Sequence, residues 1–487
     1  MGKEILFNDH WETRLFINGE FRTSGDGKRF DVTNPYTGDV LAHVHAASKD
    51  DTNDAVRAAL AAFPSWRDLQ PSERGVYFLR LADLVEASAG ELARLDAMDS
   101  GIPISQARGT KLITTSLRYL AQAGWTIQGT TSTNTRHHFN YTVQEPYGVV
   151  ACIGASNIPL MPMACDVAPA LAAGNTVVFK TNEKDPLALL ALARLVQQAG
   201  FPPGVLNIIS GFRDPVGSTL AAHLDVRCLT FAGSPGATQE ILATAARSNM
   251  KRVNAHSGGG SAALIFADAD LAQAAADTTS SILSLNGQNC MANTRIFVEA
   301  AAAEEFGRLL RQQFAESVHP GDPLDPSTTV GPSMDDEYFT MLKTAVQTAY
   351  RDGRVVVGGK MGEPAGGRLF LQPTIVEEVP SDSPLMQAPA WGPLLVVNRF
   401  ESEDDGLRMA NAYPFGLYAA VYTRDSDRVH RLVRRLDVGN VAVNCSGPTL
   451  AFDLPFGGRK MSGGATNGVL YAMGNYLQNK SVLWKTC

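Results

Sequence analysis

Of six cysteines, Cys290 has the setting in which a thiol could do chemistry. It stands in NGQNCMANTR (286–295), between a long helical stretch and a β-like run. A thiolate exposed at such a junction attacks electrophilic carbon; a lone cysteine, taken alone, is more often a packed apolar thiol. Asn157, in GASNIPL (154–160), follows a β-like run and precedes a helix, where its amide N–H can hold an oxyanion or merely shape a turn. Lys180 and Glu183 close the run FKTNE (179–183), and a cation beside a carboxylate suits the two hydroxyls of a ribose or a plain solvated loop. Gly233 and Ser234 open GSPGAT (233–238), a turn into a helix whose backbone N–H groups suit a pyrophosphate, although it is not a GxGxxG fingerprint. Cys152, Cys165, Cys228 and Cys445 lie in apolar segments and read as packed thiols, while Cys487 is terminal.

The elements that must position these groups alternate. Apolar runs at 148–153, 175–180, 205–209, 227–231 and 251–254 are separated by helical stretches at about 160–172, 186–199, 213–223 and 236–248. Continuous apolar runs between helices predict a parallel sheet covered on both faces, with ligands at the carboxyl ends of its strands. A second βα series starts with a strand at 262–266, a helix at 268–285 and a strand at 294–298, and continues to about 444. Ahead of the first sheet, helical spacing covers 51–63 and then 72–99. The Thr-rich stretch 127–146 reads as an exposed β-ribbon, and the tail 475–484 as a strand able to pair with it or with another subunit.

A chain of 487 residues exceeds one core, and 45% hydrophobic residues exclude disorder. With 49 acidic against 42 basic residues and no long basic run, a nucleic-acid partner is not expected. No apolar run reaches a membrane span. The start lacks a signal-peptide core and predicts a cytoplasmic protein; Gly2 is followed by residues that fit a myristoylation site poorly. Without a CxxC pair, neither a disulfide framework nor a metal site is expected.

The stations above occur in a recognisable order. From FINGEF (16–21) almost to the C-terminus the chain resembles the aldehyde dehydrogenase superfamily. NPYTGDVL (34–41), GVVACIGASNIPL (148–160), NTVVFKTNE (175–183), GFPPGVLNIISG (200–211), LTFAGS (229–234), GQNC (287–290), WGP (391–393) and PFGGRKMSG (455–463) carry the likeness. The resemblance implies an α/β protein of three parts: a doubly wound dinucleotide-binding domain (1–126 and 147–255), an α/β catalytic domain (256–465) and a small β oligomerisation unit (127–146 and 466–487). It implies a homodimer or homotetramer and a small-molecule aldehyde as substrate. It makes Cys290 the nucleophile, giving a thiohemiacetal and then a thioester, with Asn157 and a backbone N–H at Cys290 holding the oxyanion. It makes Ile153, Lys180, Glu183, Gly233, Ser234 and Trp391 cofactor-binding positions. A carboxylate at Glu183 would repel a 2′-phosphate, which favours NAD over NADP.

The sequence departs from the family where the acyl group is released. The usual Glu of E-L-G-G-K is replaced by His256, in HSGGG (256–260). An imidazole can activate water, or His256 can simply pack. Pro389 occupies the position of a Glu that holds the nicotinamide ribose, Ala465–Asn467 replace an Arg-Glu pair, Thr238 replaces a Gly, and Asp166 stands where Lys is common. Three readings remain at this level: release by water, release by coenzyme A as co-substrate, or a non-catalytic homologue, which intact Cys290 and Asn157 disfavour. By likeness of position the substrate tunnel runs near Met161, Pro162, Cys165, Asn289, Met291 and 449–452. With no Arg or Lys among these, an aromatic or aliphatic aldehyde is expected rather than one bearing an acid.

Overall fold

Strand runs that lack polar alternation end up buried on both faces. In the computed structural model, which describes residues 11–486 except 363, 449–450 and 469–470, Val149–Ile153, Thr176–Lys180 and Leu206–Ile209 are buried throughout. They join Val226–Gly233 and Arg252–Ser257 in a parallel sheet. The order across it is 252–257, 226–233, 149–153, 176–180, 206–209, with Leu15–Ile17 and Glu20–Arg22 added antiparallel at one edge. Its two faces form separate cores: Val150, Cys152, Val177 and Phe179 point to one, and Val149, Ala151, Ile153 and Val178 to the other. This is the doubly wound arrangement expected from the sequence.

The second sheet is ordered 354–357, 374–377, 394–400, 293–299, 261–265, 418–422, 440–443, parallel except for its first strand. It too is covered on both faces. The first sheet ends at Ser257 and the second begins at Ser261, so three glycines, Gly258–Gly260, join them. The tail strand Leu477–Lys485 pairs antiparallel with His138–Pro146 of the same chain, extended by Thr131–Ser132. Among the described residues no helix is long and apolar enough to cross a membrane.

Several helices depart from their simple periodicity for identifiable reasons. The first runs Lys49–Arg67, longer than 51–63, because Ser48 and Asp51 form a reciprocal capping box at its start. The stretch 72–99 is two helices, Pro71–Ala87 and Ala89–Ser100, broken at Ser88. The helix expected at 160–172 opens with a π-turn, Met163–Val167, ahead of Ala168–Ala172; Pro169 has no N–H to continue a regular ladder. Pro215 likewise holds Asp214 extended inside 213–223, leaving a turn at Arg213–Gly217 and a short helix Ser218–Ala222.

Trp66 locks the first helix to the sheet layer. It is 1% exposed, its Nε1 donates to the Leu171 carbonyl at 3.0 Å, and Tyr77, Phe78 and Phe201 surround its ring. Trp66→Ala removes that filling and one hydrogen bond to the Leu171 carbonyl, at a cost of about 3–5 kcal/mol. A urea titration is expected to show an earlier unfolding midpoint with unchanged slope; an unmoved midpoint would contradict this packing.

Candidate active site

Cys290 precedes the central strand Asn293–Glu299 of the second sheet, on a turn built from unusual backbone. Leu285 and Asn286 both adopt left-handed φ (53° and 56°), strained for residues with a Cβ. Asn286 holds this turn from within: its Nδ2 donates to the carbonyls of Gly101 (2.9 Å) and Pro332 (3.0 Å), and its Oδ1 accepts from Gly331 N–H (2.7 Å). Gln106 adds another clamp, accepting from Leu285 N–H at 2.6 Å.

Two glycines let the backbone close around the thiol. A Cβ at Gly259 would overlap the carbonyl oxygen of Cys290, and one at Gly287 would overlap the backbone of Gly392. The linker between the sheets and the WGP segment therefore both bear on the cysteine turn. Arg295 secures the linker from behind. Its buried guanidinium donates to the carbonyls of Gly260 (3.3 Å), Met409 (3.4 Å) and Ala410 (3.3 Å) and lies 3.9 Å from the centre of the Tyr413 ring.

Asn157 meets the cysteine turn directly, and His256 and Trp391 precede glycines whose backbone packs against it. Asn157 donates from Nδ2 to the Gln288 carbonyl at 2.8 Å, two residues before the thiol; an amide has a second N–H to offer. His256 is half-buried near the end of Arg252–Ser257, three residues before Gly259. Trp391, half-buried with φ 50°, precedes the Gly392 that faces Gly287.

The remaining positions lie along the carboxyl edge of the first sheet. Ile153 is in register with Lys180 and with Phe231, Ala232 with His256, and Gly233 with Ser257. Lys180 is buried, donating to the Thr181 carbonyl (3.0 Å) and to Glu183 (3.1 Å); burial lowers its ammonium pKa and Glu183 offsets that. Ser234 caps the helix Pro235–Ser248, which carries no acid in its first turn. A side chain on Gly236 would meet nothing within 4 Å, so open space stands over that helix start. Buried Lys180 with Glu183, strand ends in register and an open helix N-terminus together fit a dinucleotide.

Two of the unusual residues have structural partners. Asp166 accepts from Tyr476 O–H at 2.9 Å, and that hydroxyl lies 3.0 Å from Thr230 Oγ1. Thr238 bonds back to the Ser234 carbonyl at 2.9 Å within its own helix.

Cys290 opens on a cavity of about 970 Å³. Met161, Asn289, Met291 and Phe452 line it as expected, whereas Pro162, Cys165 and Ala451 do not; 449–450 lie outside the described residues, as does Cys487. Two expectations need correction. Cys445 packs against the cluster of Met291, Leu417, Tyr418 and Ala442, but it is only half-buried and also lines the cavity with Cys290. Arg108 and Lys111 also line it, so the tunnel is not free of cations. Neither was visible beforehand, because their helix, Gly109–Ala123, lies remote in sequence from every motif.

Burial pushes the Cys290 thiol up to about 11, offset in part by its own N–H and that of Met291. Cys228, fully enclosed, is pushed up to about 12, and burial raises Cys152 and Cys165 as well.

Comparison with known proteins agrees with this geometry. The sequence profile of the Aldehyde dehydrogenase family matches residues 21–482. The chain is 38% identical over 476 residues to the NADP/NAD-dependent aldehyde dehydrogenase PuuC of Escherichia coli, covering 97% of this chain and 95% of that one. It is 37% identical over 481 residues to aldehyde dehydrogenase 1A1 of Equus caballus, covering 97% and 95%. It superposes with a TM-score of 0.95 and 35% identity on the P. syringae indole-3-acetaldehyde dehydrogenase AldA, a C302A mutant in complex with NAD+ and IAA, over 98% of this chain and 97% of that one. The chain belongs to the aldehyde dehydrogenase family. It is an NAD(P)-dependent oxidoreductase acting on aldehydes.

Since the thiolate is the reactive form and its pKa is raised, alkylation of Cys290 by iodoacetamide in the cofactor-free enzyme is expected to rise about tenfold per pH unit from about pH 8 to 10. Mass spectrometry of the 286–295 region follows it. A rate that levels near the ordinary thiol pKa would show Cys290 to be less desolvated than described.

Proposed function

We propose that this chain oxidises an aldehyde to a carboxylate with NAD through a covalent bond to Cys290. What carries the reading is the thiol on the wall of a large cavity, with the Asn157 amide fixed two residues away at the Gln288 carbonyl. Cys290 loses its proton to water in the open cavity, and its sulfur bonds to the aldehyde carbon as the carbonyl π electrons move onto the oxygen. The second N–H of Asn157 and the Cys290 backbone N–H hold the resulting oxyanion. When bound, the nicotinamide supplies the acceptor for the hydride that leaves this carbon. The oxyanion electrons then re-form the carbonyl, and the acyl group remains on Cys290 as a thioester.

His256 is the group proposed to accept a proton from the water that attacks the thioester, releasing the acid and the thiol. Its strand leads into the glycine linker that touches Cys290, which supports the assignment. Ile153, Lys180, Glu183, Gly233, Ser234 and Trp391 are proposed to hold the dinucleotide. The Glu183 carboxylate, at the ribose position, favours NAD over NADP.

The domain division follows the same reading: dinucleotide binding by 1–126 and 147–255, catalysis by 256–465, and assembly by 127–146 with 466–487. The sheet change between Ser257 and Ser261 supports the first boundary. Leu483 (75% exposed) and Trp484 (59%) on the tail strand support assembly into a homodimer or homotetramer through the ribbon.

Rapid mixing with NAD or NADP and a panel of aldehydes, with and without coenzyme A, tests the proposal. Steady NADH formation is expected without coenzyme A, and faster with NAD than NADP. Turnover that requires coenzyme A would replace water as the acyl acceptor. Because hydride leaves before the thioester is hydrolysed, His256→Ala should keep the first-turnover burst and slow later turnovers by about 100-fold. Steady turnover equal to wild type would remove His256 as the base.

A further inference from the structure

The cavity has a charged side that the reaction at Cys290 does not use. Arg108 and Lys111 line it from the start of the helix Gly109–Ala123, three residues apart and so on one face. Both are exposed, and neither side chain makes an ion pair or hydrogen bond with any described residue. By contrast, Arg118 farther along the same helix is paired with Asp83 and Glu86.

Two acidic side chains share the lining and offset this charge only in part, since two cations face one carboxylate that keeps its charge and one that is partly neutralised. Asp277 is engaged through both oxygens, by Tyr422 O–H (3.0 Å) and Gln273 Nε2 (2.7 Å). Asp96 is buried, and burial pushes its carboxyl up to about 7, so it is partly protonated at neutral pH. Leu112, Ile158, Met161 and Phe456 add apolar wall to the same cavity.

From this arrangement we infer that the preferred substrate is an aldehyde bearing a carboxylate at its far end, with Arg108 and Lys111 receiving the carboxylate while the aldehyde carbon reaches Cys290. The inference rests on the aldehyde-oxidising reading above and names its substrate class. A neutral aldehyde leaves both cations without a partner, and an aminoaldehyde meets them with like charge. The helix start, which carries no acid in its first turn, adds to the same field. The cations are solvent-exposed, so the attraction is screened by salt and acts on capture of substrate more than on the chemical step.

Matched aldehyde pairs test it: 4-oxobutanoate with butanal, 6-oxohexanoate with hexanal, 9-oxononanoate with nonanal, and 4-carboxybenzaldehyde with benzaldehyde. Wild type is expected to show a higher kcat/KM for the anionic member of at least one pair, through a lower KM, and to lose that preference as ionic strength rises. In Arg108→Gln/Lys111→Gln the ratio of anionic to neutral kcat/KM should fall about tenfold. Arg108→Lys/Lys111→Arg should keep it. Preference for the neutral member in every pair, or an unchanged ratio in the Gln double variant, overturns the inference while leaving aldehyde oxidation standing. No NADH from any aldehyde overturns both.

Discussion

The close approach of backbone to backbone around Cys290 is the constraint on which the site depends. Gly259 lies against the cysteine carbonyl and Gly287 against Gly392, contacts that any side chain would block. Asn286 then fixes a left-handed turn with three hydrogen bonds to backbone. Through these contacts the thiol's position is referred at once to the first sheet, the second sheet and the Trp391 segment. Strain of the kind seen at Leu285 and Asn286 persists only where surroundings over-determine the turn.

The electrostatics follow from the same enclosure. Arg295 is buried and paired with no carboxylate among the described residues, and desolvation lowers it to about 10 while carbonyls and the Tyr413 ring hold it. Cys290 is pushed in the other direction, toward the neutral thiol. Next to the cysteine turn, burial thus favours the neutral forms of both groups.

Much of the scaffold was legible in the sequence because parallel strands buried on both faces leave unbroken apolar runs; Val149–Ile153 and Thr176–Lys180 were found within one residue. The ribbon and the tail were each legible as strands, but the sequence left the tail's partner open between the ribbon and another subunit; the two pair within the chain. Local detail was less so. Pro169 and Pro215 redirected helices in ways that periodicity cannot show, and Ser88 split a long one. At the site, the residue set came from motif order, which carries no distances. Asn286 lay inside a quoted motif, yet its clamp joins it to Gly101 and Gly331, far away in sequence. Arg108, Lys111 and Cys445 reach the cavity only through tertiary packing.

The central role of Cys290 is tested most directly by trapping the acyl-enzyme. The protein is mixed with NAD and an oxidisable aldehyde, quenched in acid within the first turnover, digested and read by mass spectrometry. An acyl mass on the peptide containing Cys290, in step with NADH formed, is the expected result. NADH without an acylated Cys290, or acylation on the Cys445 peptide instead, would contradict it.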